Sequence, residues 1–159
     1  MATLARPVRL ERGSSQDLDD AMQVMEAAFG RTYGEAWTRS QCAGILPMTG
    51  VSLYLARDAE SDDVVGFSLF RNVADESELL LLAVTPARRR EGIGSRLLVH
   101  FMDQAQANGA NGVHLEVRDG NPAIQMYKAA GFTPVGRRRN YYQAPDARRF
   151  DALTFARKV

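Results

Sequence analysis

The sequence predicts an α/β (α+β) architecture in one domain spanning residues 1–159: a single mixed, mostly antiparallel sheet of six to seven strands with flanking helices. Three observations predict it. Residues 79–84 form an apolar run of strand length, followed by a Pro-containing turn, a Gly-spaced loop and an amphipathic helix carrying Ile93, Leu97, Leu98, Phe101 and Ala105. Residues 112–117 then form a second strand, which a right-handed crossover places parallel to the first. Around this core, β-branched and aromatic runs joined by turn residues supply antiparallel pairs.

Taken in order, residues 7–11 read as a first strand. Ser14-x-x-Asp17 is a capping box, and Leu18, Met22, Met25 and Phe29 follow at helical spacing as a stripe assigned to core. Residues 30–34 interrupt between two glycines. Thr38-x-x-Gln41 opens a second helix, with Trp37 placed to staple onto Cys42, and this helix ends near Leu46 and Pro47. Residues 51–57 and 64–72 form a hairpin across the acidic turn 58–63. The helix from Ile93 stops at Asn108 and Gly109, a fitting C-terminal glycine. Within residues 112–117, alternation puts Val113, Leu115 and Val117 on one face and His114, Glu116 and Arg118 on the other. A charged Glu116 in a central strand is costly unless it is paired or functional. Asn121 and Pro122 read as N-cap and first residue of a last helix, with Ile124, Tyr127 and Ala130 on one face and Gly131 closing it. Residues 132–135 and 152–155 complete the sheet as a terminal antiparallel pair.

Composition narrows the function. The chain has 159 residues, 45% of them hydrophobic, enough for one good core. No apolar run is long enough for a membrane span or a signal peptide, which reads as cytoplasmic. One cysteine, Cys42, excludes an intrachain disulfide and a Cys-based zinc cluster, and His100 and His114 lie on different elements, so no metal is expected. Cys42 has neither histidine near it in sequence and reads as a small hydrophobe, not a nucleophile. A net charge of +1 argues against broad nucleic-acid binding. A monomer or weak dimer is expected.

The loop after residues 79–84 is the main chemical signal. Gly92 and Gly94 have no Cβ, so phosphates can approach the main chain where the first helical N–H groups lack partners. A P-loop is excluded because Ser95 and Arg96 follow Gly94 where Gly-Lys-Ser/Thr is needed. A dinucleotide fingerprint is excluded because Leu97 stands where a third small residue belongs. A plain Gly-rich helix start with solvated arginines is the alternative on the loop alone.

The remaining pattern, Arg89-x-x-Gly92-x-Gly94, resembles the pyrophosphate signature of the GCN5-related N-acetyltransferase (GNAT) superfamily. Further motifs extend the likeness across roughly residues 64–155: Leu82-Ala83-Val84-x-Pro86, Leu115-Glu116-Val117-Arg118, Asn121-x-Ala123-x-x-x-Tyr127-Lys128, Arg138-Arg139-Asn140-Tyr141-Tyr142 and Asp151-Ala152. Together they resemble the RimI-type ribosomal-protein-alanine N-acetyltransferases, with a weaker echo at Trp37 and Thr38. The resemblance implies a GNAT fold whose central parallel strands splay apart, with acetyl-CoA as donor and coenzyme A as product. It implies that the main chain of Leu82, Ala83 and Val84 receives the acetyl and pantetheine groups. Arg89, Arg90, Glu91, Gly92, Ile93, Gly94 and Ser95 would wrap the pyrophosphate, and Asn121 would contact the coenzyme. Five residues separate Asn121 from Tyr127 where the family usually has six, which puts the position of Asn121 in question.

By the same resemblance Glu116 is the general base and Tyr127 the general acid. Their alternatives are a salt bridge from Glu116 to Arg118 or Arg139 and a half-buried core role for Tyr127. Asn140, Tyr141 and Tyr142 would form a loop gripping the acceptor peptide, with Glu35 and Trp37, and more weakly Glu26, on the acceptor side. An α-amine titrates near about 8 against about 10.4 for lysine, so a modest carboxylate base suits an N-terminal acceptor. Three readings stand at this point: a protein N-terminal acetyltransferase acting on an N-terminal alanine of a small-subunit ribosomal protein, a GNAT enzyme acting on a small amine such as a polyamine or antibiotic, and a coenzyme A-binding module without turnover.

Overall fold

The computed structural model describes residues 6–159; residues 1–5, the N-terminus where a signal peptide would start and where the sequence has no apolar run long enough for one, lie outside the described residues. The elements in chain order are β1 (Val8–Arg12), a 3-10 turn (Ser15–Asp17), α1 (Leu18–Phe29), α2 (Arg39–Ile45), β2 (Val51–Asp58), β3 (Val64–Val73), β4 (Glu76–Val84), a second 3-10 turn (Pro86–Arg88), α3 (Ile93–Ala107), β5 (Gly112–Arg118), α4 (Ile124–Ala129), β6 (Thr133–Gln143) and β7 (Arg149–Lys158). The seven strands make one sheet in the order β1-β2-β3-β4-β5-β7-β6. Among the described residues only β4 and β5 run parallel, joined through α3 as expected of a crossover.

Local chemistry accounts for the helix ends. Both capping boxes close: Ser14 N donates to Asp17 Oδ2 at 2.8 Å, and Thr38 N and Gln41 N exchange bonds with each other's side chains at 2.7 and 3.1 Å. Trp37 and Cys42 join the same apolar cluster at the start of α2. At the end of α3, Gly109 takes φ +87° while its N–H and that of Ala110 donate to Gln106 O and Ala105 O at 3.1 and 2.9 Å. Those two bonds are the Schellman pair, and a Cβ at that φ would be strained.

Apolar side chains fill both faces of the sheet. Under α1 and α2 lie Leu18, Met25, Leu53, Phe67 and Leu81; under α3 and α4 lie Phe70, Leu79, Phe101, Leu115, Tyr127 and Phe155. Between Leu69 and Phe70 of β3 the register with β4 shifts, pairing Leu69 with Leu81 and Phe70 with Leu79 and leaving Leu80 as an extra residue. Leu80 and Leu81 accordingly pack on the α1 side, while Leu79 and Leu82 pack on the α3 side. A bulge raises local twist and bends the strand that carries it.

Two expected boundaries are corrected. The terminal pair is much longer than residues 132–135 and 152–155, and Asn140, Tyr141 and Tyr142, expected in a loop, lie within β6. They still depart from the ladder: Arg138 pairs with Ala152 and Tyr142 with Phe150, so three residues of β6 oppose only Asp151. Asn140 takes φ +54° at this bulge, and its N–H donates to Asp151 Oδ1 at 3.0 Å. The last helix starts at Ile124 rather than Pro122, because Ile124 N and Gln125 N donate to Asn121 O and Pro122 O, three residues back, in a tighter turn. Asn121 still caps this turn, Oδ1 accepting from Ala123 N at 2.8 Å.

A buried ion pair ties the β2–β3 turn to the loop after β4. Asp58 Oδ2 accepts from Arg88 Nη1 at 2.7 Å, and Asp58 Oδ1 accepts from the main-chain N–H groups of Glu60 and Ser61 at 2.9 and 3.0 Å. Those main-chain donors, with Arg88 and Arg6, hold the Asp58 carboxyl at about 2 against an ordinary 3.8. Because the folded value is the lower one, its stabilisation is complete above the unfolded value and fades as pH falls from about 4 toward 2. Asp58→Asn should therefore melt lower than the parent at pH 6 and converge with it as the pH approaches 2. A gap in thermal midpoints that stays constant over that window would contradict the assignment.

Candidate active site

The site begins where the parallel pair separates. β4 and β5 pair only from Glu76 opposite Gly112 to Leu79 opposite Leu115. Beyond that point β4 stays paired with β3 as far as Val84 opposite Gly66, and β5 stays paired with β7 as far as Arg118 opposite Ala152. The fork thus leaves the facing edges of residues 80–84 and 116–118 outside any ladder between them. It opens at the Leu80 bulge, where the added twist turns β4 away from β5. Unpaired strand edges are donors and acceptors waiting for an extended amide chain. Leu82, Ala83 and Val84 lie on one arm and Glu116 on the other.

The turn leaving β4 leads into the glycine loop. The first main-chain bond entering α3 is Arg96 N to Gly92 O at 3.0 Å, and the N–H groups of Arg90, Glu91, Gly92, Ile93, Gly94 and Ser95 have no partner among the described residues. Arg90 and Gly92 both take positive φ, +66° and +78°, curling the loop. A Cβ on Gly92 would meet open space, so its requirement is conformational; a Cβ on Gly94 would stand 3.2 Å from Met126 Sδ, so its requirement is the close approach of α4. The Ile93 side chain is buried in core. Arg89 does not reach into the cradle: its Nη2 donates to Ala28 O at the end of α1, 3.1 Å away. Six free N–H groups at a helix N-terminus fit an anion such as a diphosphate.

Glu116 sits half-buried on β5 with both oxygens held. Thr154 Oγ1 donates to Oε2 at 3.2 Å, and Arg138 Nε lies 2.9 Å from Oε1. The ion-pair partner is therefore Arg138, not Arg118 or Arg139, because β6 brings Arg138 opposite Ala152 beside the β5 register. The Arg138 side chain is 62% exposed and can swing into solvent, leaving Glu116, 13% exposed, with the Thr154 hydroxyl as its donor. Tyr127 is buried on α4, edge-to-face with Phe132. Burial, and next the charge of Glu35, push its phenol above the ordinary tyrosine value. Burial does the same to Tyr142 on β6, followed by the charges of Glu35, Tyr141, Glu116 and Tyr127. Both phenols stay protonated at neutral pH and can donate, not accept, a proton.

Arg118 is the residue whose role was missed. Its guanidinium pairs with Glu35, stacks 3.6 Å over the Tyr33 ring and lies 6.0 Å from that of Phe150. Asn121 Nδ2 donates to the other Glu35 oxygen at 2.9 Å. Glu35 is thereby clamped between the end of β5 and the turn before α4, and Asn121 faces Glu35. Gly34 follows the same course: a Cβ there would fall 2.0 Å from Gln143 O, so the α1–α2 loop presses on the end of β6. Trp37 packs with the apolar cluster under α1. Glu26 is exposed on α1. The only sequence hint of the clamp was a charged residue at alternation with Glu116.

Comparison with known proteins agrees with this geometry. Residues 18–132 match the model of the acetyltransferase (GNAT) family. The chain is 30% identical over 142 residues to the [ribosomal protein bS18]-alanine N-acetyltransferase of Haemophilus ducreyi, covering 89% of this chain and 93% of the relative. It is 33% identical over 130 residues to that of Salmonella typhimurium, covering 81% and 83%. The crystal structure of the ribosomal-protein-S18-alanine N-acetyltransferase from Escherichia coli superposes with a TM-score of 0.84 at 27% identity, covering 96% of this chain and 94% of that one. The forked sheet, the free N–H cradle and these matches have one explanation: the chain belongs to the acetyltransferase (GNAT) family, whose acetyl donor is acetyl-CoA.

Proposed function

We propose that this protein transfers an acetyl group from acetyl-CoA to the α-amine of a protein N-terminus in the cytoplasm, with the N-terminal alanine of a small-subunit ribosomal protein as acceptor. The relatives' names support the acceptor. The observation that carries the reading is the fork itself, which sets the free edge of Leu82, Ala83 and Val84 across from Glu116.

The coenzyme supplies an activated thioester carbonyl. The free N–H groups of residues 90–95 hold its diphosphate, and the β4 edge takes its amide-bearing arm as an added strand. Asn121 has its side chain engaged with Glu35 and Ala123, so it braces Glu35 on the acceptor side and leaves the coenzyme to the main-chain donors. Glu116 accepts the proton of the incoming ammonium, directly or through water, once Arg138 swings aside. The amine nitrogen then attacks the carbonyl carbon, the carbon–sulfur bond breaks as Tyr127 donates its proton to the departing sulfur, and the second proton of the former amine, shed by the new amide nitrogen, returns to the Tyr127 oxygen. Tyr142, with Asn140 and Tyr141 on the bulge of β6, grips the first acceptor residues opposite Glu35 and Tyr33. Trp37 supports that wall from the core side.

A peptide beginning with a free alanine should be acetylated, and the same peptide with a blocked N-terminus and an internal lysine should not, as read by mass spectrometry. Efficient labelling of the blocked peptide or of spermidine would instead make this a lysine or small-amine enzyme. Failure to release free thiol from acetyl-CoA with every acceptor would make it a binding module.

A further inference from the structure

We propose that Arg88, anchored by Asp58, is a positioning residue that draws the Glu91 carboxylate out of the phosphate cradle. The inference rests on the coenzyme reading above. Glu91 is the one acidic residue in the run 86–95, and it immediately precedes Gly92 as the second of the six residues with free N–H groups. Its N–H suits a diphosphate; its side chain opposes one. A carboxylate several ångströms from a diphosphate at intermediate dielectric repels it by the equivalent of about a tenfold change in affinity.

The three consecutive arginines are sorted to solve this. Arg88 Nε donates to both Glu91 oxygens at 2.9 Å, Nη1 donates to Asp58 Oδ2 at 2.7 Å, and Nη2 donates to Arg6 O at 3.0 Å. The guanidinium is 4% exposed, and its fork points in three directions at once, a geometry a lysine cannot reproduce. Asp58 is in turn fixed by the β2–β3 turn through Glu60 N and Ser61 N. Arg89 is tied to Ala28 O, and the Arg90 side chain has no hydrogen bond among the described residues. A chain of contacts thus runs from the β2–β3 turn through Asp58 and Arg88 to Glu91, and it holds the one unfavourable charge away from the cradle's mouth.

The test compares the parent, Asp58→Asn/Arg88→Met, and that pair combined with Glu91→Gln, by titration with coenzyme A. Removing both buried charges of the anchor keeps the interior neutral while freeing Glu91. The double variant should bind coenzyme A about tenfold more weakly, and adding Glu91→Gln should restore affinity to within about threefold of the parent. With S-acetylpantetheine, a donor lacking the diphosphate, the loss in kcat/KM should be smaller by that same factor. Arg88→Lys, with and without Glu91→Gln, makes the same comparison with a cation left beside Asp58. An affinity loss that Glu91→Gln does not recover, or one equal for both donors, would reduce Arg88 to a structural residue and overturn the proposal. A parent that binds no coenzyme A would instead overturn the coenzyme reading.

Discussion

Tyr127→Phe should fold, bind acetyl-CoA nearly as the parent does, and turn over about 10²- to 10⁴-fold more slowly, the usual size of a general acid–base contribution. The substitution keeps the ring in its buried place against Phe132 and removes only the proton donor. Burial and the charge of Glu35 keep that donor protonated over the working range, so the loss should be independent of pH near neutrality. Glu116→Gln should also be slow near neutral pH, but it should recover part of its rate as the pH rises past the α-amine's pKa of about 8, where the acceptor deprotonates unaided. The two variants therefore differ in the slope of their pH profiles and not only in rate. A folded, coenzyme-loaded Tyr127→Phe within about threefold of the parent would leave Tyr127 as a packing residue, with Tyr142 as the next phenol to test. Tyr142 feels the charges of Glu116 and Glu35 from the acceptor side.

The core of this fold was legible because its signals are local. Capping boxes at Ser14 and Thr38, the glycine at 109 and the apolar strand ahead of the glycine loop each act within a few residues, and each appears where expected. The parallel pair followed from chain handedness. The bulge that opens the fork did not show, because it falls within Leu79, Leu80, Leu81 and Leu82. A run apolar on both faces has no alternation for an extra residue to break. β6 was underestimated for the opposite reason. It is an edge strand exposed on nearly all its residues, so no buried face selects an alternating pattern across Arg137, Arg138 and Arg139. The pairing of Glu35 with Arg118 joins residues 83 positions apart and had no local signature. Residue types at the fork were readable; the partner of each charge was a tertiary fact.

The clamp around Arg118 should be the costliest of these tertiary contacts to break. Arg118 and Glu35 have side chains 9% and 10% exposed, and Arg118 also covers the Tyr33 ring. Truncating the cation in Arg118→Met leaves a carboxylate with little water and one remaining donor, Asn121. Breaking a buried pair from one side costs about 3–5 kcal/mol, and the α1–α2 loop can lift to hydrate Glu35, which puts the loss at about 3 kcal/mol. For a chain of this length that corresponds to a fall of roughly 6–12 °C in thermal midpoint. Adding Glu35→Gln should recover much of it, because the stranded charge goes while the amide still bonds Asn121; the stacking on Tyr33 stays lost. Function should separate the two halves of the site. The clamp joins the α1–α2 loop to the ends of β5 and β7 on the acceptor side, whereas the cradle at residues 90–95 depends on Arg88 and Asp58. Arg118→Met should therefore raise the KM for the acceptor peptide while leaving that for acetyl-CoA within about threefold. A midpoint lowered by less than about 2 °C would show that Glu35 is not held by Arg118 in solution, and equal effects on both substrates would show that the clamp does not serve the acceptor side alone.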